Sequence, residues 1–552
     1  MAGFCARIML LVVWQMLFAA SPVFAQQSDG HVSPQQLQDT LLSEGYLKGL
    51  DAYKAGNYAV AFKLWKVAAK EGDAMAQCNL GACYCSGKGV TLDYGKALKW
   101  FRRSAAQGND VAQCNIGNCY HNGLGVRQDV DEAVKWYILA AEQGNAMALT
   151  NLGLCYKIGE GVAADNEKAF DCLYRAAEKG YPVAWNEVGD CFFFGIGVSE
   201  CSDEAVYWYK KAAEQGLDVA QYNLAMCYAY GDGVPHDESK AAEWLLKSAQ
   251  QGNVKAQYSL AGSYDNGTGV AKDSVLATMW YEKAAIQGHA EAQYILACRY
   301  YSGNGVEEDH EMAAKWFSKA VKNGDADAMC QLAACYYWGD GVTYDYNKAI
   351  KLYKKAAELG SAEAMYCLAE YSVYDDEEIS VAMTFSWYLQ AAGLEYVPAY
   401  NKVANYYYTG VAGEVDYETA FRWYKEGAES GDPDAQYNIA QCYYFGHGVE
   451  QNYLYAARWY ILAAEKGNAG AQYILGAMFY KGMGVTQSFE EAVMWYTKAV
   501  ELGYPAAQYD LGICYYYGHG VGQNGEKAVE LWKLAAEQGF EDAIATLKDI
   551  KR

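Results

Sequence analysis

A glycine returns every 36 residues along this chain. It stands at 72, 108, 144, 180, 216, 252, 288, 324 and 360, and after the loss of one residue at 431, 467, 503 and 539. Glu395 holds the place between the two series. Self-similarity at this period means one supersecondary unit stacked on copies of itself, and few folds allow that.

Each copy reads as two helices. Counting from the glycine, Ala at +4, Leu or Ile at +8 and Tyr at +12 (Ala112, Ile116, Tyr120) share one face of a first helix, A. G-x-G-V follows, as Gly123, Gly125 and Val126, and paired glycines end a helix and supply a tight turn. At +21 a column of short acceptors (Asp93, Asp129, Asp165, Asp237, Asp273, Asp309, Asp345, Asp416, Asn452, Ser488, Asn524) opens a second helix, B. Cys201 takes that place once. Helix B carries Ala133, Trp136 and Tyr137 at +25, +28 and +29. One such hairpin cannot bury its apolar face, so the units must stack.

The expected architecture is all-α, an α/α superhelical solenoid of 36-residue helix-turn-helix repeats. Residues 45–71 read as a divergent capping hairpin, 72–538 as thirteen units, and 539–552 as a closing helix. The unit at 360–394 is degenerate, with "VYDDEEIS" in place of G-x-G-V. Before the hairpins, residues 1–25 read as a cleaved secretory signal, with Arg7, a short apolar run and a V-x-A end, and 26–44 as a linker. No later stretch approaches the roughly 18 apolar residues of a membrane span. The net charge of −23 argues against nucleic acid and anionic membrane surfaces.

"NLGACY", "GKGV" and "KALKWF" in the first full unit, and "NLAMCYAYGDGV" with "AAEWLLKSA" in the fifth, resemble the Sel-one-like repeat (SLR), a relative of the tetratricopeptide repeat. That resemblance implies a non-catalytic scaffold or adaptor holding a protein or peptide partner on its concave face. With the signal, it places the chain outside the cytoplasm, periplasmic or secreted if bacterial. A glycan- or peptidoglycan-associated envelope factor is the alternative. Some cysteine-rich SLR proteins are described as binding β-lactams, but K-T-G and S-x-x-K with S-D-N are missing here, which leaves that reading distant.

The 17 cysteines invite a disulfide reading in an oxidising compartment. Most occupy +11 (Cys83, Cys119, Cys155, Cys191, Cys227, Cys335, Cys442, Cys514). Stacked helices lie about 8–10 Å apart, and disulfides need Cα atoms within about 7 Å, so this column should stay unpaired. At most one or two bridges are expected, the candidate being Cys191–Cys201, which flank a single turn, with Cys172 competing for the same partner. "GACYCSGKGV" at 81–90 lacks phosphate-loop spacing and a second Cys pair for zinc. No metal, cofactor or catalytic residue is assigned.

By the same resemblance, helix A lines the groove, and its outward stripe is +6, +10 and +13. Tyrosine accumulates there in the C-terminal half: Tyr294, Tyr301, Tyr337, Tyr366, Tyr408, Tyr437, Tyr444, Tyr473, Tyr480, Tyr509 and Tyr516. Tyr is large, stiff and tipped with one polar group, which suits contact surfaces. These rings are the expected partner-binding set. The competing reading is packing between neighbouring helices.

Overall fold

The structure is a computed structural model that describes residues 44–375, 380–411 and 413–550. The expected signal, and the linker up to residue 43, lie outside the described residues. Among those described there are twenty-nine helices and no strand. They fall into two compact units, one up to Ala292 and one from Gln293. Each is a stack of helical hairpins, and none of the described helices is long and apolar enough to cross a membrane.

The hairpin after Gly108 shows how the sequence dictates the shape. Its helix A is Asp110–Asn122 and its helix B is Val130–Glu142. Asn109 caps helix A, its side chain accepting from the Ala112 N–H at 2.8 Å. The same +1 cap recurs at Asp73, Asn145, Asn253, Asp325, Asp432 and Asn468. Gly123 ends the helix in the left-handed region at φ 68°, its N–H donating to the Cys119 carbonyl. The turn closes where the Asp129 N–H donates to the Tyr120 carbonyl at 2.9 Å. Asp129 then caps helix B by accepting from the Glu132 N–H at 3.0 Å. The expected +21 caps form from Asp93 to Asn524, and only Cys201 in that column makes no cap bond.

The core alternates small and large. Ala112 and Ile116 are fully buried, and Tyr137 from helix B lies beside them. Gly117, at +9, makes room for that ring: a Cβ there would lie 2.5 Å from a Tyr137 ring carbon. Gly189 stands to Tyr209 as Gly476 stands to Tyr496. A buried glutamine at +5 ties consecutive hairpins together. Gln221 donates to the Ala213 carbonyl at the end of the preceding helix B (3.1 Å) and accepts from Gln251 (2.8 Å). Gln257, Gln436 and Gln472 bond the carbonyls of Ala249, Ala428 and Ala464 in the same way. This satisfies acceptors that a helix C-terminus otherwise leaves open.

The second glycine of G-x-G has a different task from the first. Gly125 (φ 70°) sits against the start of the preceding helix B, where a Cβ would lie 2.5 Å from the Tyr94 carbonyl carbon. Gly161, Gly197, Gly448, Gly484 and Gly520 are seated alike.

Because neighbours bury one another, damage should stay local. Leu224 is fully buried in the core of the N-terminal unit. Leu224→Ala should cost about 2–5 kcal/mol. Hydrogen exchange should show lost protection within roughly 180–290 and little change near the first hairpin. Uniform loss along the chain would contradict nearest-neighbour stacking.

The degenerate unit keeps its helices, Ala362–Asp375 and Val381–Gly393. Residues 376–379, the centre of "VYDDEEIS", lie outside the described residues. Ser380 caps the second helix, accepting from the Met383 N–H at 3.2 Å. Glu395, in the glycine's place, is the one non-glycine at positive φ (61°) among the described residues. The left-handed region costs an ordinary residue about 1 kcal/mol or more.

All sixteen cysteines among the described residues are free thiols, Cys191 and Cys201 among them. Cys191 is fully buried and turns into the core. Cys201 is half-buried at the far side of the turn, joined to that helix only by its backbone N–H on the Phe192 carbonyl (2.8 Å). Burial pushes the thiol of Cys191 up to about 12. Cys85 and Cys119 of the next hairpin are neighbours, and Cys85 together with burial holds the Cys119 thiol above its usual range.

Candidate partner-binding face

In the C-terminal unit the +6 tyrosines are held between rings. Tyr437 lies 5.8 Å from Tyr460 of its own helix B. Tyr473 lies 6.0 Å from Tyr496 and 5.3 Å from Tyr504. Tyr509 lies 6.4 Å from Trp532 and 5.5 Å from Phe540. Tyr294 contacts Phe317, and Tyr366 contacts Tyr388 and Tyr396. Each ring is half-buried. Burial, then the Asp510 carboxylate, holds the Tyr473 phenol above its usual range. Burial raises Tyr437 as well.

The +13 tyrosines mark a second set of contacts, one that crosses from hairpin to hairpin. The residue inside G-x-G reaches back to the helix A end and helix B start of the hairpin before it. His447 bonds the Tyr408 hydroxyl at 2.7 Å and stacks on Tyr417 at 4.5 Å. His519 bonds Tyr480 at 2.8 Å and stacks on Phe489 at 4.8 Å. Tyr301 stacks on His310, which in turn bonds Asp340. In the N-terminal unit Lys88 bonds the Tyr53 hydroxyl at 3.0 Å and His121 approaches Glu160 at 3.4 Å. Tyr337 stacks on Tyr371, and Tyr444 and Tyr516 meet Tyr460 and Trp532. Of the eleven tyrosines only Tyr301 and Tyr516 are classed as exposed, at 43% and 42%.

Part of the same stripe in the N-terminal unit is polar. Lys157 (+13) lies 3.1 Å from Glu187 and 4.0 Å from Asp190 of the next helix A. Tyr209 donates to Asp190 at 2.7 Å, and Asn223 donates to Asn186 at 3.0 Å. Burial and the Glu187 charge push Asp190 up to about 7, against the pull of Lys157. Burial alone would lower Lys157, but the two carboxylates outweigh it and hold the ammonium above its usual range. The network spans three consecutive helices A and fixes their register.

The sequence reading missed a column. At +14, the last residue of helix A, stand Phe194 (61% exposed), Tyr230 (75%), Trp338 (69%), Phe445 (54%) and Tyr517 (62%). They rank among the most exposed large apolar side chains of the chain. Four of them lie edge-on to an aromatic +13 neighbour on the expected stripe, Phe193–Phe194, Tyr337–Trp338, Tyr444–Phe445 and Tyr516–Tyr517. Aromatics at a fixed offset before the glycine were the available signal.

A family model described as Sel1 repeat matches residues 40–73, 74–109, 110–145, 146–181, 183–217, 218–253, 254–289, 290–325, 326–361, 397–432, 433–468, 469–504 and 505–540. The match takes in residues 40–73 and passes over 362–396. A protective antigen of uropathogenic Escherichia coli displaying an SLR fold is 30% identical, over 89% of this chain and 97% of that one, with a TM-score of 0.55. A Sel1 repeat protein from Oxalobacter formigenes is 31% identical, over 61% of this chain and 99% of that one, with a TM-score of 0.42. Comparison with curated proteins gave no match.

Proposed function

The chain belongs to the Sel1 repeat family, and from that premise we propose that it is a non-catalytic scaffold that binds a protein or peptide partner outside the cytoplasm. Family members are generally non-catalytic scaffolds. The observation that carries the reading is the contrast between columns. Ala at +4, Leu or Ile at +8 and the +29 ring are buried and nearly invariant from hairpin to hairpin, while +6, +13 and +14 change freely. A fixed frame with variable faces is how a solenoid presents a surface. The antigen from E. coli is described as protective, which supports a place outside the cytoplasm for this chain too. The apolar start of the chain, read as a secretory signal, supports the same place.

The test is capture from an envelope extract by the purified mature chain, at low and high salt. A chain of net charge −23 should release a basic protein partner as salt rises. Retention of a glycan alone, indifferent to salt, would replace this reading with the envelope-glycan one, which the exposed Trp338 and Tyr517 rings favour. Failure to retain anything would sink both.

A further inference from the structure

Three consecutive hairpins of the N-terminal unit end helix A on an exposed apolar residue: Ile158, Phe194 and Tyr230, at 39%, 61% and 75% exposure. Each directly precedes its left-handed glycine, so the three stand at one register on the turn edge of the stack. Their turns, 159–165, 195–201 and 231–237, contain no lysine or arginine. They contain Glu160, Asp165, Glu200, Asp232 and Asp237. The turns on either side each bring a base back, Arg127 before and Lys272 after, so the acidic stretch has edges. Two of the acids are matched from within, Asp165 by Lys168 and Asp237 by Lys240, both at 3.0 Å, and His121 approaches Glu160. Glu200 and Asp232 make no ion pair among the described residues. Beyond Tyr230 an open hollow of about 570 Å³ continues the edge, lined by His236, Asp237, Glu238, Ser239 and the Gly267–Ala271 turn.

We propose that this edge, from Ile158 to Asp237, is a docking surface for a partner-protein segment that alternates apolar and Lys or Arg side chains. The proposal rests on the scaffold reading and names its surface and the chemistry of its partner. Apolar side chains of the segment cover Ile158, Phe194 and the Tyr230 ring. Its cations face Glu200 and Asp232 and lie over the aromatic faces. An acidic segment would meet the Glu200 and Asp232 carboxylates. A polar basic one would leave the exposed rings uncovered.

The experiment uses the full mature chain and three labelled synthetic peptides of one length: an amphipathic Leu/Lys peptide, the same pattern in Leu/Glu, and a Ser/Lys peptide. Fluorescence anisotropy should show the Leu/Lys peptide binding tightest, and more weakly as salt rises. Phe194→Ser with Tyr230→Ser should weaken it by about tenfold or more, and Glu200→Gln with Asp232→Asn should flatten the salt dependence. All four side chains are solvent-accessible, so melting should not change. Trp338→Ser, in the other unit, should leave affinity unchanged. If the Leu/Lys peptide binds but ignores the Phe194/Tyr230 change, or if the Leu/Glu peptide binds as well, this surface is refuted and the scaffold reading stands. Self-association of the chain, abolished by the same double change, would also refute it and make a second copy the occupant. If no peptide binds and no partner is captured from envelope extract, the scaffold reading falls with it.

Discussion

Gly448→Ala should unfold the hairpins around it, while Gly446→Ala, two residues away, should be tolerated. Both glycines have positive φ, 72° and 79°. Both substitutions therefore bear the left-handed cost of about 1–2 kcal/mol. Beyond that the sites differ. At Gly446 a new Cβ would meet Gln451 and the Val449 carbonyl of its own turn, all at 3.4 Å and beyond. At Gly448 it would fall inside contact distance of the Tyr417 carbonyl, part of the preceding hairpin's backbone. Backbone cannot swing aside as a side chain can, so one hairpin must lift off the other. The expected loss is more than about 4 kcal/mol, in the range reserved for broken packing. Chemical denaturation of the two variants beside the parent decides this. Equal losses would mean that backbone conformation, not the seat on Tyr417, explains the second glycine.

The triple change Tyr437→Ala, Tyr473→Ala, Tyr509→Ala should lower the melting temperature sharply. Each ring lies against the aromatic +29 residue of its own helix B, and Tyr473 and Tyr509 also touch the residue after the next glycine position. Fully buried aromatics cost about 3–5 kcal/mol to remove. These are half-buried, so about 2 kcal/mol apiece is expected. They sit at successive 36-residue intervals, and the losses should accumulate within the C-terminal unit. Partner capture should be measured on the same protein at a temperature where it remains folded. A variant that melts normally but loses its partner would return these rings to the binding face.

The repeat, both helices, the turn and the +21 caps were legible because each is a local rule written many times over. Asp129 could be read as a cap without knowing what lies beyond its own helix. What escaped was pairing between hairpins. Tyr408 with His447, and Tyr480 with His519, are partners 39 residues apart, longer than one period, so aligning units to one another hides them. Gln221 was visible as part of a recurring Ala-Gln, yet its role needs the Ala213 carbonyl eight residues earlier, across the break between hairpins. The tyrosine stripe could be placed on helix A, but the choice between open face and packing was not legible. The reading had no way to see that the +29 ring fills the space between +6 and +13. The +14 residue, the last of helix A, stands at the turn edge and stays exposed.

The seat of each G-x-G glycine on the hairpin before it gives the array a direction. A hairpin leans on finished backbone on its N-terminal side and offers an equivalent seat on its C-terminal side. A ribosome delivers the chain in that same order. Each hairpin can therefore settle as soon as its turn emerges, against a surface already folded, without waiting for sequence still to be made. The same rule explains how such a chain can change length. Cutting out or copying a block of 36 residues leaves every remaining turn with a seat of the same shape.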